Sequence, residues 1–434
     1  MTVEKTSQIR WLLISWLFVL SAVAYLDRVN ISIAGKLLAS EFHLSNTQLG
    51  WIFSAFLAGY ALFQTPGGRL ADKLGARRIL ALAVIWWGLF SALIIIVPGG
   101  FQYALLAFMA LRFTLGAGEA VMYPASNQFV ARWIPTSERG MANGLIFSGV
   151  GIGAAFTQPL ITYIMLRHGW RSSFLVCAVL GLLVGFVWYV IARNSPDGHP
   201  SVSASELSKI KAGLPISLSH ENPKLVSWAR MLESREVLAV TVSYFSFGYV
   251  AWIFFSWFYI YLAEVRGLNL KTSAWYSTVP FIAMAVCSPL GGLVSDAIAK
   301  SKGPRAGRSG IAVLAMILAA IFLVIGSQAQ NTRVAVLVLA GGAGALYLSQ
   351  SSFWSVTADI GGRSSGSVSG FMNMGNQIGG MITASLTPWI ASHFSWTAAF
   401  FVAAALSLCG AFAWLFVDPR KRLNVESSIT SETI

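Results

Sequence analysis

Only 11% of the 434 residues are charged, three are cysteine and five are histidine. Each shortage removes a class of protein. With 56% hydrophobic residues and a mean hydropathy of +0.67, the composition excludes a disordered chain and lies far from that of a soluble domain. Cys177, Cys287 and Cys409 sit singly in different apolar runs, which gives neither a disulfide framework nor metal-ligand spacing. His43, His168, His199, His220 and His393 fall in connections or at the ends of apolar runs. No metal, cofactor or catalytic residue is therefore expected, and the chain does not read as an enzyme. No Walker sequence occurs, which argues against direct coupling to ATP. Gly144, Gly149, Gly151 and Gly153 follow no strand and lie in an apolar run, so they read as close helix packing or a flexing gate rather than a phosphate cradle.

What the chain has is apolar length. A helix needs about 20 apolar residues to cross a bilayer. Twelve stretches reach that scale: Trp11–Leu38, Leu49–Ala71, Ile79–Val97, Tyr103–Val121, Gly140–Met165, Trp170–Ala192, Val237–Ala263, Ser273–Ile298, Ile311–Ser327, Val334–Val356, Gly366–Ala391 and Trp396–Val417. The first continues past signal-peptide length and is expected to remain as an anchor. On this map 22 of the 30 Lys and Arg fall on the side of the two tails and the central interval. Only Lys36, Arg167, Arg171, Arg266, Lys271 and Arg333 fall on the other side. The net charge of +13 thus encodes orientation, with both termini cytoplasmic, and not nucleic-acid binding.

Shifted by 226 residues, the chain matches itself at Gly140 and Gly366, Gly144 and Gly370, Gly149 and Gly375, Gly153 and Gly379, Trp170 and Trp396, Phe174 and Phe400, and Trp188 and Trp414. Shifted by 224, Gly68 and Asp72 match Gly292 and Asp296. Two six-span halves in parallel repeat place a substrate site near the midplane between them. The expectation is an all-α membrane protein of twelve transmembrane helices in two six-helix bundles related by a pseudo-two-fold axis. The bundles are residues 1–192 and 237–417, joined by a cytoplasmic linker, 193–236, and followed by a cytoplasmic tail, 418–434.

The run from Gly68 to Arg78, GRLADKLGARR, resembles the loop signature of the major facilitator superfamily. Within it Gly75 permits a tight reversal, and Asp72 can accept from a helix N-terminus or pair with an arginine of the opposite half. A gating role is expected for Gly68, Asp72, Gly75, Arg77 and Arg78. The charges of the loop after span ten, at Asp359 and Arg363, read as a solvated connection.

Four charges lie deep within spans: Asp27, Arg28, Arg112 and Glu119, which sum to zero. An ionisable group at the centre of a span costs roughly 2.5–3.5 kcal/mol even on lenient scales, so it faces a partner or a cavity. Arg112 and Glu119, seven residues apart, share a helix face at a separation of about 10.5 Å. That gap admits a third group, either the Asp27 carboxylate or the charge of a substrate. The second half has Val338 and Ala345 at the matching positions, so packing alone does not require these charges.

The segments Tyr25–Asn30 (YLDRVN) and Arg112–Ala120 (RFTLGAGEA), with Tyr123-Pro124-Ala125-Ser126-Asn127, Trp133-Ile134-Pro135, Glu138-Arg139-Gly140 and Gly169-Trp170-Arg171, resemble the anion:cation symporter family. That family includes bacterial sugar-acid carriers and, more distantly, sialic acid and vesicular glutamate carriers. The resemblance implies proton-coupled transport of an organic anion. It assigns substrate binding to Arg28, proton coupling to Asp27 and Glu119, and pairing with the span-one acid to Arg112. Substrate contact is further implied for Tyr60, which shares a face with Gln64, and for Trp354, whose alternative is an interfacial anchor. Gln377 stands where relatives commonly have asparagine. Asn373, Asn376 and Gln377 form one polar face suited to the hydroxyls of a polyol acid or to bonds between helices. Tyr249 and Trp252 complete the expected lining, and Val150 stands where galactonate-type carriers place a glutamine.

The sequence therefore reads as a secondary transporter that symports a small organic anion, most simply a hexonate, hexuronate or aldarate, with protons by alternating access. It is expected to work as a monomer in the lipid bilayer of a bacterial inner membrane. The rivals are sodium-coupled or exchange transport of organic phosphate or dicarboxylate, a transporter-like ligand sensor, and an intramembrane enzyme. Two acids flanked by two arginines suit sodium poorly, and neither the linker nor the segment after Val417 offers much room for a sensor's output domain.

Overall fold

The structure is a computed structural model in which residues 7–44, 46–214, 225–258, 261–268 and 270–423 are described. Among these residues there is no strand. The first half contains α1 (Ile9–Phe42), α2 (Asn46–Leu74), α3 (Ala76–Ile95), α4 (Ala104–Glu119), α5 (Met122–Trp133), α6 (Arg139–His168) and α7 (Trp170–Ile191). Two short helices, α8 (Ala204–Gly213) and α9 (Trp228–Glu233), lie in the linker. The second half contains α10 (Arg235–Ser256), α11 (Leu270–Lys302), α12 (Ile311–Gln328), α13 (Thr332–Leu348), α14 (Gln350–Gly361), α15 (Ser365–His393) and α16 (Trp396–Trp414).

Breaks between helices follow local chemistry. Pro124 has no N–H and its ring crowds the Ala120 carbonyl, and the chain is interrupted there between α4 and α5. Gly75, with φ at 82°, turns α2 into α3 in a conformation that a side chain resists.

Ten helical stretches among the described residues are long and apolar enough to cross a membrane. One of them, Thr332–His393, runs for 62 residues and contains α13, α14 and α15. At 1.5 Å per residue it is far longer than a bilayer core of about 30 Å, and the positive φ of Gly362 folds it back on itself. The polar helix α2 is not among the ten, yet it packs along both α4 and α15.

Within the first half α1 packs on α6 and α7, and α3 on α7. In the second, α10 packs on α15 and α16, and α12 on α13 and α16. The halves meet along two seams, α2 against α15 and α6 against α11. Both seams depend on glycine: a Cβ at Gly68 would run into the Gly366 carbonyl, and one at Gly292 into the Gly140 carbonyl.

The linker is more than a connection. Ser203 caps α8, and the fully buried Glu206 carboxylate accepts from the Ser7 hydroxyl at 2.5 Å, the Ile9 amide at 3.0 Å and Arg10 Nη1 at 2.9 Å. Burial alone would push this carboxyl up, but those bonds hold it below the usual glutamate range. Further along, Val226 accepts from Arg69 of the first half at 2.9 Å and donates to Ser364 of the second at 2.9 Å. Residues 215–224 of the linker and 424–434 of the tail lie outside the described residues.

Candidate functional site

A narrow cavity lined by both halves lies between them. From the first half come Tyr25 and Arg28 of α1, Tyr123 of α5, and Phe147 and Val150 of α6. The second half supplies Tyr244, Phe247, Ala251, Trp252 and Phe255 of α10, Tyr347 of α13, Gln350 and Trp354 of α14, and Asn373, Asn376 and Gln377 of α15. Arg28 is the sole cation in this lining. The Tyr244 hydroxyl accepts from Gln350 Nε2 at 2.8 Å and from Trp354 Nε1 at 2.9 Å, which fixes both side chains. Asn376 Nδ2 donates to Asn373 Oδ1 at 3.2 Å. The carboxamide oxygens of Gln350, Asn376 and Gln377 are buried without hydrogen-bond partners among the described residues. Such groups are costly to leave unpaired, so the second-half wall is suited to a polar ligand.

The opposite wall is electrostatic. Arg28 Nη2 lies 3.1 Å from Glu119 Oε2, without the alignment of a hydrogen bond. Its guanidinium is 4.6 Å from the centroids of both Tyr25 and Tyr60, and 5.3 Å from that of Phe56. Cation–π contact of this kind is strongest when desolvated. Arg28 is thus held in place by aromatic faces while Nε and Nη2 stay without hydrogen-bond partners. Asp27, the preceding residue, projects elsewhere and accepts from Ser91 Oγ at 3.0 and 3.1 Å.

The partners differ from those expected. The carboxylate of Glu119 is met by Arg28, and Arg112, only 2% exposed, has no carboxylate within ion-pair distance among the described residues. Its Cζ lies 4.5 Å from the Phe56 centroid, with Nε and Nη1 unpartnered.

Other expected site residues divide by position. Trp252, Trp354, Asn373, Asn376 and Gln377 line the cavity. Tyr60 lies against Arg28, outside that lining. Gln64 is fully buried where α2 meets α15, its carbonyl facing Gly370. Tyr249 is buried in α10, outside the lining.

Of the two roles open to Asp72, the structure shows the helix cap: the carboxylate accepts from Gly366 N at 2.9 Å, and from Ser367 N at 2.8 Å and Oγ at 2.7 Å. At the other seam Asp296 accepts from Gly140 N at 3.0 Å and Met141 N at 2.7 Å. Gly68 sits in the first seam. Gly75 brings Asn194 Oδ1 within 3.0 Å of the Arg77 amide, while Arg77 Nε donates to the Tyr189 carbonyl at 2.9 Å. Arg78 is exposed. Asp359 is buried, not solvated, and pairs with the fully buried Arg139 at 2.5 Å. Two arginines, one from each half, compensate the second seam's acids: Arg308 also pairs with Asp296 at 2.5 Å and donates to the Thr136 carbonyl at 3.0 Å.

Residue reasoning missed Gln350, Tyr244, Ser91, Arg139 and Arg308. Two signals were available: Gln350 precedes Trp354 by one helical turn, and Asp296 is the repeat counterpart of Asp72.

Residues 17–384 and 275–431 match the Major Facilitator Superfamily. This chain belongs to that superfamily and is a multi-pass membrane transporter, not an enzyme. It is 33% identical over 400 residues to a probable sulfoacetate transporter of Cupriavidus necator, covering 92% of this chain and 91% of the relative. A probable galactarate/D-glucarate transporter of Escherichia coli K12 is 30% identical over 437 residues, covering 95% and 96%. The fold matches a solved proton:xylose symporter bound to 6-bromo-6-deoxy-D-glucose, with a TM-score of 0.75 at 16% identity, covering 94% of this chain and 96% of that one. These relatives agree with the anion:cation symporter family that the buried charges resemble.

Proposed function

We propose that this transporter carries a hydroxylated organic acid, of the hexonate, hexuronate or aldarate class, inward together with protons. The observation that carries the reading is Arg28, the single cation of the cavity, facing a wall of unsatisfied carboxamides. The substrates named for the two relatives are organic anions, which supports a carboxylate as the group that Arg28 receives. Hydroxyls then meet Gln350, Asn376 and Gln377. When the substrate carboxylate takes Arg28, Glu119 loses its partner, and protonation becomes the cheaper state for an isolated buried acid. Glu119 and Asp27 are the proposed proton carriers. With those charges neutralised, the halves rock about the loaded site.

The reading includes twelve passes, bundles at 1–192 and 237–417, both termini cytoplasmic, and a monomer in a bacterial inner membrane. Under that orientation the two capped seams close the cytoplasmic side, and Gly68, Asp72, Gly75, Arg77 and Arg78 belong to its gate. The test is uptake into proteoliposomes under an imposed pH gradient, with labelled D-galactonate, D-glucuronate, D-glucarate and sulfoacetate. Uphill uptake of a hydroxylated acid, abolished in Asp27→Asn and Glu119→Gln, is expected. Uphill uptake of sulfoacetate alone would overturn the hydroxyl assignment, and gradient-independent exchange would overturn proton coupling.

A further inference from the structure

The two adjacent charges of α1 face different environments. Side chains of neighbouring helical residues diverge by about 100°. Arg28 enters the cavity between the halves, whereas Asp27 is absent from that lining and turns into the first half, toward α3. Ser91 is fully buried there, and its hydroxyl lies 3.0 and 3.1 Å from the two Asp27 oxygens, the only hydrogen bonds to that carboxylate among the described residues. Ionisable groups around Asp27 are Arg28 on its own helix, Arg112 and Glu119 of α4, and Cys177 of α7. None of them comes within ion-pair distance of it. Asn30, one turn further along α1, accepts from Ser173 Oγ at 2.8 Å and donates to Cys177 Sγ at 3.6 Å, so buried polar contacts continue inside the first half.

We infer that Asp27 and Ser91 form a proton site separate from the substrate cavity, in which Ser91 is the positioning residue that sets how tightly Asp27 holds its proton. The inference rests on the reading of Asp27 as a coupling acid. A hydroxyl donating to a carboxylate favours its charged form. Ser91 therefore eases proton release without touching substrate, and coupling passes between the sites through α1 and the charges of α4.

The test needs no substrate. Infrared difference titration of the purified protein reads the carbonyl band of buried protonated carboxyl groups against pH, and Asp27→Asn identifies the component due to Asp27. In Ser91→Ala the midpoint of that component is expected about one pH unit higher, from the loss of one hydrogen bond to a charged group. Ser91→Thr, which keeps the hydroxyl, is expected to restore the parent midpoint. A Ser91→Ala midpoint equal to the parent's, or one that Ser91→Thr fails to restore, overturns the role of Ser91. Gradient-driven uptake measured beside it separates the two ideas: if Asp27→Asn still accumulates substrate with the parent pH profile, the coupling role of Asp27 fails, whatever the infrared result.

Discussion

Asp72 and Asp296 occupy equivalent corners of the repeat and do the same task with different support. Each caps the first turn of a long helix of the opposite half, where unpaired amides and the helix dipole favour a carboxylate. Asp296 is also paired with Arg308, whereas Asp72 has Ser367 Oγ as its added donor and no ion pair among the described residues. The site shows the same division on a larger scale. The first half contains Asp27, Arg28, Arg112 and Glu119, while the second lines the cavity with amides and aromatic rings. Duplication has kept the closing geometry, with its buried acids, twice and the buried charge cluster beside the cavity once. Under the proposed coupling, the halves meet symmetrically while the first alone responds to protons.

The division is broken most severely at its charged end. Arg28→Gln is expected to weaken substrate binding about 100-fold, the scale of a lost charge-assisted contact of about 3 kcal/mol, as read by isothermal titration with the acid that the uptake panel identifies. An unchanged affinity would remove Arg28 from the site. The seams come next. In a variant whose three cysteines are replaced by serine, Ser355→Cys reports the buried interface where Asn143 reaches across to Ser355. Labelling of that cysteine is expected to rise about tenfold with Asp296→Asn, which also removes the shorter of the ion pairs of Arg308, and about threefold with Asp72→Asn. Equal effects would show that the ion pair adds nothing to the cap.

On the amide side, Gln350→Leu or Asn376→Leu is expected to weaken binding about fivefold each, one neutral hydrogen bond apiece of about 1 kcal/mol, with the pH profile of uptake unmoved. A shifted profile would mean that the second half takes part in proton handling. The smallest effect concerns the linker. The Glu206 carboxyl is held below its ordinary range, so its contribution is present at neutral pH and lost as pH falls through its depressed value. Glu206→Gln should therefore lower Tm by a few degrees at pH 7 and by less near pH 3. A constant deficit at both pH values would assign the loss to packing instead.

Much of this arrangement was legible in the residues because membranes impose simple rules. Apolar length marked the helical passes, and the repeat of Gly68 and Asp72 at Gly292 and Asp296 pointed to paired seams. The isolated charges Asp27, Arg28, Arg112 and Glu119 stood out from apolar surroundings. Partner choice was not legible. The seven-residue spacing of Arg112 and Glu119 indicated a third group between them, but which neighbour Glu119 meets depends on how α1 is rotated against α4, and Arg28 takes that place. Asp359 looked solvated because its neighbours in sequence are glycines and an arginine, whereas Arg139, some 220 residues away, buries it. Buried serines such as Ser91 give no signal, since a hydroxyl is cheap to place anywhere in a helix.

The glycine contacts of the two seams bear on a danger common to every protein that must pass a solute through a membrane without opening a hole in it. Where Gly68 meets Gly366 and Gly292 meets Gly140, backbones touch with no side chain between them. Such contact leaves no room for a file of water along which protons could hop. The tightness of these seams therefore limits leakage: a methyl group added at either would wedge the halves apart and open a path for water between them.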